Sequence, residues 1–183
     1  MPTAQTLQAL YVDELRDLCS ANKQMQAVVG KMAGRASDPK LQGLLQRSVS
    51  GIDKHTHAIE AMLPNNSALQ CRGMEGLVEE ATRHAIEADL SPSLRDIEMI
   101  AQYQRMSHYG IAGFGTAAAY AEALGRTEQA NTLRAIVSDI YRADDYTSAM
   151  AENLEVVKAA DEQSPDGLKG SPATVVCSIK LKS

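Results

Sequence analysis

Tryptophan is absent, phenylalanine occurs once, and aromatic residues make up 4% of the chain. Runs of β-branched residues are scarce before the C-terminal stretch "ATVVCSIKLKS", which argues against a β-rich core. Cysteine is nearly as rare: Cys19, Cys71 and Cys177 are far apart and odd in number, so neither a disulfide framework nor a CxxC metal site is implied. Lysine and arginine are scattered singly against a formal net charge of −5, and the basic stripe that phosphate binding needs is missing. Nucleic acid is therefore not an expected partner. No stretch approaches 18 consecutive apolar residues, and the N-terminus lacks a basic region followed by an apolar run. No membrane association is expected, and a soluble protein of the reducing cytoplasm fits best.

What the chain has in plenty is Ala, Leu, Met, Glu, Gln and Arg, a helical composition, in a length of 183 residues that suits one domain. Turn-rich breakers at "GRASDP" (34–39) and "PNNS" (64–67), the Ser91-Pro92 start signal and the Gly125 stop signal cut it into segments. The segments predict four long helices over about 5–34, 38–63, 92–124 and 127–159, with a shorter one near 73–88. Two helical hairpins joined by a long connection follow.

Alternating steps of four and three then mark the face each helix turns to a bundle core. The first stripe is Leu7, Tyr11, Glu14, Leu18, Ala21, Met25, Val28 and Met32; the second is Leu41, Leu45, Ser48, Ile52, His55, Ile59 and Met62. The third reads Ile97, Ala101, Gln104, His108, Ile111, Gly115 and Ala118, and the fourth Leu133, Val137, Ile140, Asp144, Thr147, Ala151 and Leu154. Each carries a titratable residue near its middle. Folding back at the loop near residue 125 brings His108 level with Asp144, and folding back near residue 36 brings His55 level with a point between Glu14 and Asn22. A polar layer across the middle of a bundle is where such proteins build metal sites, and equally where a hydrogen-bonded layer fixes helix register.

"DELRDLCSANKQM" (13–25), "CRGMEGLVEEA" (71–81), "HYGIAGFGT" (108–116) and "AEALG" (121–125) together resemble the YciF/YciE-type ferritin-like stress proteins, collinearly over about residues 6–158. The resemblance implies an all-α, ferritin-like four-helix bundle with a short fifth helix in the long crossover. It also implies a dimer and a carboxylate-rich di-metal centre. At the ligand positions the chain departs from the family: one glutamate becomes Asn22, a pair of carboxylates around His108 becomes Ser107 and Gly110, an acidic pair falls on Ser50 and Gly51, and a further carboxylate becomes Ile140. His55 falls near the family's histidine position.

The remaining candidate metal ligands are His55, His108, Asp144, Asp139 and Glu14. Against that reading stand a packed core histidine at 55 and 108, and a buried carboxylate bonded to Tyr or Arg at 14. The glycines at 110, 113 and 115 form no GxGxxG after a strand, and close helix packing explains them better than phosphate binding. Cys19 and Cys71 read as buried, inert thiols.

The expectation is a bundle over 1–160 acting as a structural or binding protein with a degenerate di-metal site, no catalytic residues and no resident cofactor. The alternative is a metal-dependent redox protein holding one zinc, iron or manganese ion in a rearranged site. The tail, 161–183, alternates like a strand and is expected to join a homodimer interface or to dock a protein partner.

Overall fold

The computed structural model describes residues 6–64 and 69–153. The strand-like tail expected at 161–183 lies outside them. Among the described residues five α-helices follow one another: α1 (Leu7–Ala33), α2 (Pro39–Met62), α3 (Arg72–Ala81), α4 (Pro92–Ala123) and α5 (Thr127–Asn153), with a π-helical turn, Thr82–Glu87, continuing α3.

The helix ends follow from local chemistry. Thr6 caps α1 by accepting from the Ala9 amide, and Asp38 caps α2 by accepting from the Lys40 and Leu41 amides, with Pro39 in the first turn. The turn from α4 into α5 is a Schellman arrangement: Arg126 N donates to the Ala121 carbonyl at 2.8 Å and Gly125 N to that of Glu122 at 2.9 Å. It requires the left-handed φ of +70° that Gly125 adopts. Asp96, buried on α4, fastens the α1–α2 loop by accepting from Ser37 N (2.9 Å), Ser37 Oγ (2.5 Å) and Asp38 N (2.8 Å).

α1 packs along α2 and α4 along α5, α1 and α4 cross the centre, and α2 and α5 touch only lightly. One apolar cluster centres on Met25, Met32, Leu41, Leu45, Met99 and Met106, and a second on Tyr11, Leu15, Leu18, Ile59, Phe114 and Leu133. Most of these side chains are essentially inaccessible, each stabilising the fold by about 1.5–3 kcal/mol. α1 and α4 approach so closely that a Cβ on Gly113 would stand 2.7 Å from Leu18 Cδ2. Close packing thus accounts for Gly113, whereas Gly115 faces open space.

Of the stripe expected on α1, Tyr11, Leu18, Ala21, Met25, Val28 and Met32 are buried, while Leu7 and Glu14 are partly exposed. On α4 the buried face is Asp96, Met99, Tyr103, Met106, Ser107, Gly110, Phe114, Ala117 and Ala121, about one residue behind the expected Gln104–His108–Ile111–Gly115 phase. One residue is about 100° of helix. His108, expected inward, is instead 60% exposed.

Candidate functional site

The weak contact between α2 and α5 leaves a cavity of about 440 Å³ in the middle of the bundle, open on that side. Small-molecule sites span roughly 300–1,000 Å³. α1 contributes Asn22 and Met25; α2 Ser48, Gly51 and His55; α4 Tyr103, Ser107 and Gly110; α5 Asp139 and Ile140. Every position at which the chain departs from the family's ligands, save Ser50, therefore faces one space: Asn22, Gly51, Ser107, Gly110 and Ile140, together with the retained His55. Each of these residues is shorter than a glutamate or apolar, and the space between them is open. Gly51 lines this cavity, and a Cβ there would meet nothing within 4 Å.

The polar chemistry of the walls is incomplete. Asn22 Nδ2 is buried without a hydrogen-bond partner in the described structure, its residue 7% exposed, whereas Ser107, 2% exposed, has the Tyr103 hydroxyl as a hydrogen-bonding neighbour. An unpartnered buried group usually costs about 1–3 kcal/mol unless water or a ligand answers it. The Tyr103 hydroxyl shares a 2.9 Å hydrogen bond with Ser48 Oγ, and burial raises its pKa. His55 lies edge-on to Phe114 with ring centroids 6.3 Å apart, its Nε2 3.6 Å from Asp139 Oδ2. Burial lowers the His55 pKa, and the opposing pull of Asp139 does not reverse it. Asp139 is also paired with Arg142. At the rim, Arg47 is exposed and forms no ion pair among the described residues.

The five expected ligands fall into three places. His55 pairs with Asp139 at the cavity. His108 Nε2 meets Asp144 Oδ2 at 3.0 Å outside it, where Gln104 also donates to Asp144 (3.1 Å) and to Ser148 (2.8 Å). The expected level of His108 with Asp144 is therefore observed, on the surface rather than in the core. Glu14 stands apart beside Gly113, its pKa raised by burial and by Asp17. Among the described residues no three of His, Cys, Asp or Glu converge in a metal-holding arrangement. A di-iron carboxylate centre takes about four carboxylates and two histidines from the bundle helices. One imidazole and one carboxylate already paired with arginine do not fit it.

A second polar cluster lies under α3. Asp17 Oδ2 accepts from the Tyr109 hydroxyl at 2.8 Å and from Cys71 Sγ at 3.1 Å, and Tyr109 and Cys71 are 3.0 Å apart. Cys71 is fully buried, caps α3 through the Met74 amide, and has its thiol pKa pushed up mainly by burial. Cys19, also buried, has its thiol pushed up by the same cause. Neither is an activated nucleophile.

Ser48, Tyr103 and Arg47 were not singled out as site residues by the sequence. A signal for the cavity does exist there: Ser48–Gly51 and Ser107–Gly110 repeat one Ser-x-x-Gly spacing on two different helices, and that spacing puts two small side chains on one face.

Known proteins share this architecture. E. coli (strain K12) YciF is 30% identical over 163 residues, covering 86% of this chain and 98% of YciF. The crystal structure of the E. coli stress protein YciF superimposes with a TM-score of 0.79 at 28% identity, over 83% of this chain and 98% of that one. YcfI from Rhodopseudomonas palustris, for which a structural role is suggested, gives 0.75 at 25% identity, over 80% and 96% of the two chains. The fold is thus the ferritin-like helical bundle of YciF, and none of the described helices is long and apolar enough to cross a membrane. With the family described as a domain of unknown function, DUF892, matching residues 6–160, the chain belongs to that family, alongside YciF.

Proposed function

We propose that the chain is a ferritin-like bundle protein whose di-metal site has degenerated and whose role is structural or binding rather than oxidative. The observation that carries this reading is the cavity: Asn22, Gly51, Ser107, Gly110 and Ile140 stand around a void where hard oxygen ligands would be needed. The structural role suggested for the R. palustris relative agrees with it. Elemental analysis of protein purified without chelators tests it. The expected result is at most substoichiometric zinc and no peroxide-dependent ferroxidase activity.

The second reading, a metal-dependent redox protein with a rearranged site, draws on the His55–Asp139 pair at the cavity. Two iron or manganese ions per chain, lost on His55→Ala, would establish it instead. In either case we place the protein in the cytoplasm as a homodimer, with the 161–183 tail contributing to the interface or docking a protein partner. Light scattering of the full chain and of a chain stopped at Ala160 tests this assembly, and a monomeric full chain would end it.

A further inference from the structure

The geometry points to a ligand site in the mid-bundle cavity for a small monocarboxylate with an apolar body, of the size of a medium-chain fatty acid. This deepens the binding reading above and rests on it. The walls divide cleanly by chemistry. Met25, Leu44, Ile52, Met74, Met106 and Ile140 supply an apolar lining, and methionine adapts to irregular shapes.

Two donors around the cavity have capacity left over: the Asn22 Nδ2 amide, which has no partner, and the Arg47 guanidinium at the rim, which carries no ion pair among the described residues. Asp139, the carboxylate among the described lining residues, is already held between Arg142 and His55. A ligand that completes these two donors offers acceptors, and an ionised carboxylate offers them to both together with the charge that a guanidinium pairs best.

Charge agrees with it. Of the ionisable residues around the cavity, Arg142 and Asp139 offset each other, Arg47 is unopposed, and burial favours the neutral form of His55. The opening therefore has an excess of positive charge although the whole chain is acidic. An amine of equal length would meet Arg47 and find no free carboxylate. An alcohol would satisfy one buried donor and leave the guanidinium unused.

Calorimetric titration of the full chain at neutral pH with sodium octanoate, 1-octanol and octylammonium chloride, each below self-association, tests this. Octanoate is expected to bind saturably with a Kd of about 1 mM or tighter, and about tenfold or more tighter than either analogue. Gly51→Leu, which places a side chain into the void, is expected to weaken octanoate about tenfold or more while melting no lower than wild type. Asn22→Leu is expected to weaken octanoate about tenfold and octanol by less.

Absence of saturable octanoate binding, binding undiminished in both variants, or an amine or alcohol bound as tightly as octanoate would each overturn the assignment. Metal analysis of the same preparation keeps the two readings distinguishable. Metal-free protein that ignores octanoate defeats the ligand assignment alone, whereas stoichiometric iron or manganese defeats the degenerate-site reading.

Discussion

Asp17 and Asn22 lie within two turns of each other on α1, yet their surroundings are opposite. Asp17 receives the Tyr109 hydroxyl and the Cys71 thiol beneath α3, and Gly73 packs so closely on Tyr109 that a Cβ would reach 2.8 Å from its ring. Asn22, facing α2 and α5, has an amide nitrogen with no partner beside a void. The first region is a closed hydrogen-bond network that fixes how α3 lies on the bundle. The second tolerates unanswered polarity, a pattern that goes with binding sites more than with structural cores.

The largest effect expected to sharpen this contrast is Asp17→Ala. It takes from the Cys71 thiol and the half-buried Tyr109 hydroxyl the acceptor they share and is expected to cost about 2–3 kcal/mol in chemical denaturation. Asn22→Leu should be neutral or stabilising, because the group it removes is unpaired; equal losses for the two variants would erase the distinction.

Next come the glycines. Gly113→Ala drives a methyl into Leu18, which is 1% exposed and cannot yield, so a net loss of about 1–2 kcal/mol is expected despite better helix propensity. Gly51→Ala meets nothing and should gain about 0.5–1 kcal/mol. Thermal melts of the pair decide it, and a loss at Gly51 would mean the void is smaller than described.

The smallest effect is with pH. Burial lowers the His55 pKa below its usual 6.5, so the unfolded chain binds the proton more readily than the folded one. Stability from this residue is therefore complete above about 6.5 and falls as pH drops below it. His55→Asn should flatten that fall in denaturation midpoints measured between about pH 5 and 7. His57, fully exposed, has its pKa raised by the Asp53 carbonyl and works in the opposite direction, so the comparison of variants rather than the wild-type curve carries the test.

Much of this arrangement was readable from residue order. Thr6, Asp38, Pro39, Pro92 and Gly125 punctuate the chain by local backbone chemistry, which is why the helix positions agree with the periodicity. Tyr11, Leu18, Met25 and Met32 set the phase of α1 because their bulk leaves one face that can be buried. On α4 the periodicity points one residue away from the buried face for the complementary reason. Gly110, Gly113 and Gly115 offer no side chain to set a phase, and Ile97 and Ile111 compete with Met99, Tyr103 and Met106 for the inner face. His108 consequently reads as central when it is exposed. Of the positions that depart from the family pattern, Asn22, Gly51, Ser107, Gly110 and Ile140 line one cavity and Ser50 does not, but a void has no periodicity of its own. It arises only when small residues on facing helices meet, and that depends on how far apart α2 and α5 stand.

The Gly51–Gly110 void has a mechanical side as well. Hydrostatic pressure favours whichever state occupies less volume, and the gain on unfolding scales with the internal emptiness that is eliminated, within a usual total of roughly 20–100 mL/mol. Water entering between α2 and α5 fills the mouth of the 440 Å³, so compression falls on its apolar interior at the waist of the bundle and not on the two packed clusters. Filling the waist, by a ligand or by a side chain at residue 51, converts the softest part of the molecule into a strut between α2 and α5.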